Sequence, residues 1–311
     1  MRVLITGASG FLGGRLAKYL IKKKFKVRIA SRSKKTLKKQ KFQKINWRSN
    51  KSLEKICNNI DIVINCAGHD THKCKTKSGS FLVNSKNPVK LFKAAQKAGV
   101  VFFIFLSSAH VYRDNLIGNI NENSKTKTNH IHGLSKLDGE KNLKKLHNNK
   151  TKLLILRSSN LFGYPHNKDV KCWHLLINSL IRDLTLYKKA TILSKKNVYR
   201  NFSSIESFCN FIFFILKKFA LKKKIPQVIN YCSENNLSLI NIVKIIKKRF
   251  ENLKKNRKIK IIFKNITLQK APKLVYKSIY SKKFNFSRDK NFIKELDNLI
   301  LYCYSKFSYK K

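Results

Sequence analysis

Apolar residues follow two rhythms in the first half of the chain. Short, uninterrupted apolar runs at 2–6, 26–30, 42–46, 62–65, 100–107 and 152–157 predict strands. Because these runs are continuous rather than alternating, each strand needs cover on both faces, as in a parallel sheet flanked by helices. Between them, apolar positions recur at helical spacing over 11–22, 52–57, 80–98, 131–146 and 171–187. Strand–helix alternation of this kind predicts an α/β fold with a doubly wound parallel sheet. The second half is less regular, with a strand expected at 228–231, a helix at 239–249, a small strand at 258–263 and a last amphipathic helix within 291–307. Pro is scarce, with 4 in all, and no Gly/Ser-rich linker separates the halves. The two lobes are therefore expected to interleave: 1–165 completed by 197–231 as the sheet domain, and 166–196 with 232–311 as a smaller carboxyl-terminal α/β lobe.

The first apolar run meets Gly7, Gly10 and Gly13, and a helix patterned by Leu12, Leu16, Tyr19 and Leu20 follows. A strand, a glycine turn and a helix in that order form a cradle for a diphosphate. Gly7 permits the tight turn, Gly10 lets the backbone approach the anion, and Gly13 lets helix and strand pack closely. The free N–H groups at Phe11 and Leu12 and the positive end of the helix dipole then face the phosphates. Ligands of open α/β sheets bind beyond the carboxyl ends of the strands, so residues just after each strand carry the chemistry. After the second strand no acidic residue is available for a ribose 2′-hydroxyl. Arg32 and Lys34 instead suit a 2′-phosphate, which points to NAD(P) with a preference for NADP.

Charge changes this picture less than its size suggests. The chain carries 69 Lys and Arg against 15 Asp and Glu, formally +54, a field that attracts any polyanion. Yet the lysines recur in short runs, such as Lys22–Lys24, Lys144–Lys145 and Lys222–Lys224, rather than in one block or tail. Lys, Asn, Ile and Phe share codons rich in A and T, so genome composition accounts for the charge without a dedicated nucleic-acid partner. Hydrophobic residues at 42% exclude wholesale disorder. No run is long enough to span a bilayer, and no leader is expected before a first strand that starts at Met1. The 7 cysteines contain no C-x-x-C pair, which suits a reducing cytoplasm.

Several segments come in a characteristic order: Thr6–Gly13, Asn65-Cys66-Ala67-Gly68, Ser107-Ser108-Ala109-His110-Val111-Tyr112, Leu156–Gly163, Arg200-Asn201-Phe202 and 228–239. As an ordered set over nearly the whole chain, they resemble the extended short-chain dehydrogenase/reductases, the nucleotide-sugar epimerase/dehydratase group. The segments 109–122 and 172–202 look most like a bacterial subgroup associated with surface-polysaccharide synthesis. The resemblance implies a Rossmann-type fold with a small carboxyl-terminal substrate lobe, an NAD(P) cofactor and a nucleotide-sugar substrate. It also implies a homodimer paired through the helices at 80–98 and 131–146. It places Cys66, Ala67 and Gly68 beside the cofactor and Asn46 near the adenine. Ser108 falls on the reacting oxygen and Lys136 on the nicotinamide ribose. Asn84 borders the nicotinamide site, Asn160 meets the sugar or diphosphate, and Arg200 grips the diphosphate.

One position departs from the family pattern. Four residues before Lys136, one turn away on the same helix face, the family has an acid/base tyrosine; here the residue is His132. A tyrosine needs its lysine to act near neutrality, whereas an imidazole starts near 6.5 and an adjacent ammonium lowers it further. Neutral imidazole still donates one N–H or accepts a proton. His130 is a fallback acid/base. Two rivals to an active enzyme follow: a cofactor-binding protein without turnover, raised by His132, and a polyanion-binding protein, raised by the charge. His69, His72 and Cys74 share a short loop but match no standard zinc spacing, so no metal is expected.

Overall fold

The computed structural model describes residues 1–32, 41–148, 150–194, 196–253, 258–264, 272–286 and 288–307; Lys34 lies outside them. In chain order the strands are β1 (Arg2–Thr6), β2 (Lys26–Ser31), β3 (Lys41–Lys44), β4 (Ile62–Asn65), β5 (Phe102–Ser108), β6 (Gly118–Ile120), β7 (Lys152–Ser158), β8 (Asn160–Phe162), β9 (Lys189–Ile192), β10 (Tyr199–Ser204), β11 (Val228–Tyr231), β12 (Asn236–Ser238), β13 (Lys260–Phe263) and β14 (Leu274–Tyr276). The helices are α1 (Phe11–Lys22), α2 (Asn50–Cys57), α3 (Lys77–Phe81), α4 (Asn87–Lys97), α5 (Ile131–Leu146), α6 (Leu176–Tyr187), α7 (Ile205–Ala220), α8 (Leu239–Leu253) and α9 (Phe292–Phe307).

The main sheet has 7 strands in the order β11-β7-β5-β4-β1-β2-β3, and every pairing in it is parallel. The continuous apolar runs explain this sheet. Val3, Ile5, Ile62, Ile64, Phe102 and Ile104 point to one face and pack with Leu16, Leu20, Phe208 and Ile212 from α1 and α7. The alternate residues Leu4, Val63, Phe103 and Phe105 point to the other and pack with Leu53, Ile56, Leu91, Phe92 and Leu143 from α2, α4 and α5. Each strand is thereby buried twice, which is why no polar alternation is seen. The strand order reverses between β1 and β4, and the crevice at that switch point opens at the carboxyl ends.

A third core joins Phe162 and Phe202 to Ile181, Leu184, Ile242, Ile246, Leu296 and Ile300 of α6, α8 and α9. It underlies a smaller lobe with the sheets β12-β10-β8 and β13-β9. Arg15 of α1 ties this lobe to the main sheet. Its buried guanidinium donates to Glu295 of α9 at 2.9 and 3.1 Å, to Glu206 at 3.0 Å and to the Tyr164 carbonyl at 2.7 Å. Glu206 thus has a structural partner.

Two helices differ from the sequence reading. The helix expected over 80–98 starts at Lys77 and passes through a π-helical turn, Leu82–Lys86, before α4. The helix expected from residue 171 starts only at Leu176. Turns close at Cys172 and Leu175 instead, and His174 between them reaches Asp70 at 2.9 Å. A tertiary contact here overrides a helical pattern.

Candidate active site

The glycine turn is built as its spacing implies. Gly7 has φ 69°, and a Cβ there would lie 2.6 Å from the Ala67 nitrogen. The loop after β4 therefore runs directly across the turn. A Cβ on Gly13 would lie 2.5 Å from the Gly7 oxygen, so α1 rests against the turn itself. Position 10 differs. A Cβ there would meet only the Gly7 oxygen, at 3.2 Å, and the backbone at Gly10 is extended, with no side chain capping α1. Its surroundings are otherwise open, and Phe11 and Leu12 begin α1 at its edge. This open cradle at a helix N-terminus fits the diphosphate of a dinucleotide.

The loop after β4 carries Cys66, Ala67 and Gly68. Gly68 is required by what lies above it: a Cβ would stand 2.9 Å from Lys136 Nζ and 3.1 Å from Asn84 Oδ1. Lys136, on the second turn of α5, is buried and donates from Nζ to the Leu106 carbonyl at 2.8 Å. Burial brings its ammonium down to about 8. One turn earlier, His132 is also buried, with Thr71 Oγ1 3.4 Å from its Nδ1. Burial first, then the charge on Lys136, depresses its imidazolium to about 3, so the ring is neutral at physiological pH. Ser108 closes β5 and accepts from the His110 backbone N–H at 3.2 Å. The structure thus gathers Gly7, Gly10, Gly13, Gly68, Ser108, His132 and Lys136 at one end of the sheet.

Asn84 is placed by the π-helical turn and is committed to scaffolding. Its Oδ1 accepts from the His69 N–H at 2.8 Å, and its Nδ2 donates to the His69 carbonyl at 3.1 Å and to Ser135 Oγ at 3.0 Å. It locks the β4 loop onto α5 beneath Lys136. Asn46 lies beyond β3, exposed, with its Oδ1 accepting from the Arg48 N–H at 3.0 Å. Arg32, exposed after β2, lies near enough for its charge to lower the His69 imidazolium, behind burial and Lys73. On the other lobe, Asn160 donates from Nδ2 to the Asn201 carbonyl at 2.9 Å. The adjacent Arg200 is exposed on β10, and its charge reaches His110. Among the described residues, no three or more His, Cys, Asp or Glu side chains are arranged to hold a metal ion.

Sequence reasoning passed over three features of this site. The first is His110, whose ring centroid lies 6.1 Å from that of His132 and 6.2 Å from that of His130; its place immediately after a strand was the available signal. The second is the strap from the β4 loop to the small lobe. His174 binds Asp70, and His72 stacks on His174 at 4.7 Å. The third is the Glu140–Arg157 pair behind Lys136, legible in part from Glu140 standing one helical turn beyond the lysine.

Comparison with known proteins agrees with this geometry. The model of the NAD dependent epimerase/dehydratase family matches residues 3–232. No curated protein matches the chain in sequence. Among solved structures, UDP-glucose 4-epimerase from Thermotoga maritima, with UDP-glucose, is 16% identical with a TM-score of 0.81, over 97% of this chain and 98% of that one. MoeE5 in complex with UDP-glucose and NAD is 18% identical with a TM-score of 0.78, over 97% and 98%. The NAD-dependent NDP-hexosamine 5,6-dehydratase TunA is 19% identical with a TM-score of 0.77, over 98% and 97%. At such identities the structures speak for a shared fold. The matched family model, which spans most of the chain, decides membership: this protein belongs to the NAD dependent epimerase/dehydratase family.

Proposed function

We propose that the chain binds a nicotinamide dinucleotide and uses it to epimerise, dehydrate or reduce a nucleotide-linked sugar. The observation that carries the reading is the buried Lys136 ammonium, held by the Leu106 carbonyl against Gly68 beside an open glycine cradle. Such a cation belongs beside a ribose and an acid/base group. Phe11 and Leu12 N–H hold the diphosphate, Lys136 the nicotinamide ribose, and Cys66, Ala67 and Gly68 line the approach. A bound nicotinamide supplies a hydride acceptor and donor. Ser108 orients the substrate oxygen, and neutral His132 exchanges its proton. Asn160 and Arg200 serve the sugar and diphosphate, with a planar guanidinium suited to phosphate oxygens. Arg32 favours NADP over NAD. UDP-linked sugars are the first substrates to test, since two of the structures named above hold UDP-glucose. We further place the protein in the cytoplasm, as a homodimer in surface-polysaccharide synthesis; no described helix is long and apolar enough to cross a membrane.

The test is calorimetry with NAD and NADP, followed by mass spectrometry of UDP-sugars incubated with the protein and each cofactor in its oxidised and its reduced form. Binding of NADP more tightly than NAD is expected, with a product isomeric with the substrate, lighter by water or heavier by two hydrogens. Tighter binding of NAD refutes the NADP preference, and absence of any dinucleotide binding refutes the whole reading. Light scattering at moderate salt on the same preparation checks the dimer, since charge repulsion is then screened. His132→Ala is expected to lower turnover about a hundredfold or more while leaving cofactor affinity nearly intact. A second reading, binding without turnover, is favoured by how far His132 is held from protonation. It is decided by a wild-type protein that binds both ligands and converts none.

A further inference from the structure

The acid/base reading leaves a proton without a resting place. His132 is neutral and buried beside a cation, so an imidazolium there is strongly disfavoured. The groups facing it are Lys136 on its own helix, His130 at the N-cap of that helix, His110 from the turn after β5 and Asp70 from the β4 loop. His110 stands in a different setting. It is half-buried on the 3-10 turn Ala109–Val111. Burial first, then the charges of His130 and Arg200, lowers its imidazolium below the ordinary value, and Asp114 offsets part of this through a backbone hydrogen bond and its carboxylate. Asp114 is itself fixed, with Oδ1 accepting from Thr128 Oγ1 at 2.6 Å and from the Asn129 and His130 N–H groups at 2.7 and 2.9 Å. The first turn of α5 is pressed onto His110: a Cβ at Gly133 would lie 2.3 Å from the His110 carbonyl oxygen. The two rings stand edge to face, with their centroids 6.1 Å apart, a separation of the order that a single water spans.

We propose that His110 is the proton reservoir of this site, receiving through one water the proton that His132 takes from the substrate hydroxyl. The inference rests on the function proposed above. In the oxidative half-reaction the substrate O–H bond breaks and its proton goes to His132. A bound oxidised nicotinamide would supply the acceptor for the hydride released as the C–H bond breaks and the carbonyl forms. The proton then moves to His110, leaving His132 neutral again beside Lys136. Return of hydride and proton reverses every step. His110 acts through His132 and is a positioning residue in the sense that it touches no reacting atom.

The experiment compares wild type, His110→Asn and His110→Ala with NAD, NADP and UDP-glucose or UDP-N-acetylglucosamine, and follows the histidine rings of the wild type by NMR titration. Both variants are expected to lose roughly ten- to a hundredfold in kcat, with KM and dinucleotide affinity within about twofold, and to lose one inflection of the kcat–pH profile. Added imidazole is expected to restore turnover to His110→Ala. In the NMR titration, His110 is expected to protonate at higher pH than His132 and to shift on addition of the UDP-sugar. Full kcat with an unchanged pH profile in His110→Asn overturns the proposal. So does a His110 resonance indifferent to the UDP-sugar in an active wild type. A wild type that binds no dinucleotide and converts no UDP-sugar overturns the functional reading and this inference with it, and is told apart because the variants then have no activity to lose.

Discussion

Glu140→Ala is expected to destabilise the fold by about 3–5 kcal/mol, read as a lower urea midpoint at unchanged slope. Glu140 on α5 is 1% exposed and accepts from Arg157 Nε at 3.0 Å and Nη2 at 2.6 Å, and from Ser107 Oγ. Arg157 on β7 is also buried, at 5% exposure. Its Nη1 donates to Tyr112 Oη at 2.9 Å, and that hydroxyl donates to Asn230 Oδ1 at 2.8 Å. Removing the carboxylate strands a buried guanidinium with no counter-charge, which costs far more than the pair itself contributes. Replacing both residues together, Glu140→Met with Arg157→Met, is expected to recover most of the loss, because apolar groups of similar volume need no partner. An Ala variant as stable as wild type refutes this account. The pair also bears on function. Glu140 lies one helical turn past Lys136, and Ser107 precedes Ser108, so the network fixes α5 against β5 and β7 where the site is assembled.

Gly10→Val is expected to leave the protein folded and to reduce dinucleotide affinity by roughly a hundredfold or more, through lost charge-assisted hydrogen bonds of about 1.5–3 kcal/mol each. The backbone at Gly10, φ −89° and ψ 178°, is one that valine adopts readily. Its Cβ meets only the Gly7 oxygen, at 3.2 Å, so the methyl groups project into the cradle. The same change at Gly7 has a different outcome. There φ is 69° and the Ala67 nitrogen stands 2.6 Å away, so the fold itself suffers. Calorimetry on a Gly10→Val protein with an unaltered melting curve separates the two effects. Unchanged affinity in that protein removes the glycine turn from the cofactor site.

Much of the frame was legible in the chain because it is local. A continuous apolar run such as Val3–Ile5 has no stable place except a strand covered on both faces, and three glycines at i, i+3 and i+6 beside it allow few alternatives to a tight strand-to-helix turn. Periodicity likewise placed α5, and with it His132 and Lys136 on one face. The second lobe was less legible, since β8 and β12 span only three residues each and owe their existence to pairing with β10. What the sequence left undecided depends on contacts between distant segments. Asn84 is an unremarkable polar residue until a π-helical turn aims its amide at His69 and Ser135. His174 lay in a helical pattern, yet the stronger contact with Asp70, 104 residues away, unwinds that turn. For His132 the chain already placed a lysine one turn away, which favours the neutral ring, but the larger cause, burial, came only with the fold. Patterns fix elements through backbone geometry and solvent exclusion, but the electrostatic state of a side chain is set by neighbours that folding alone brings within reach.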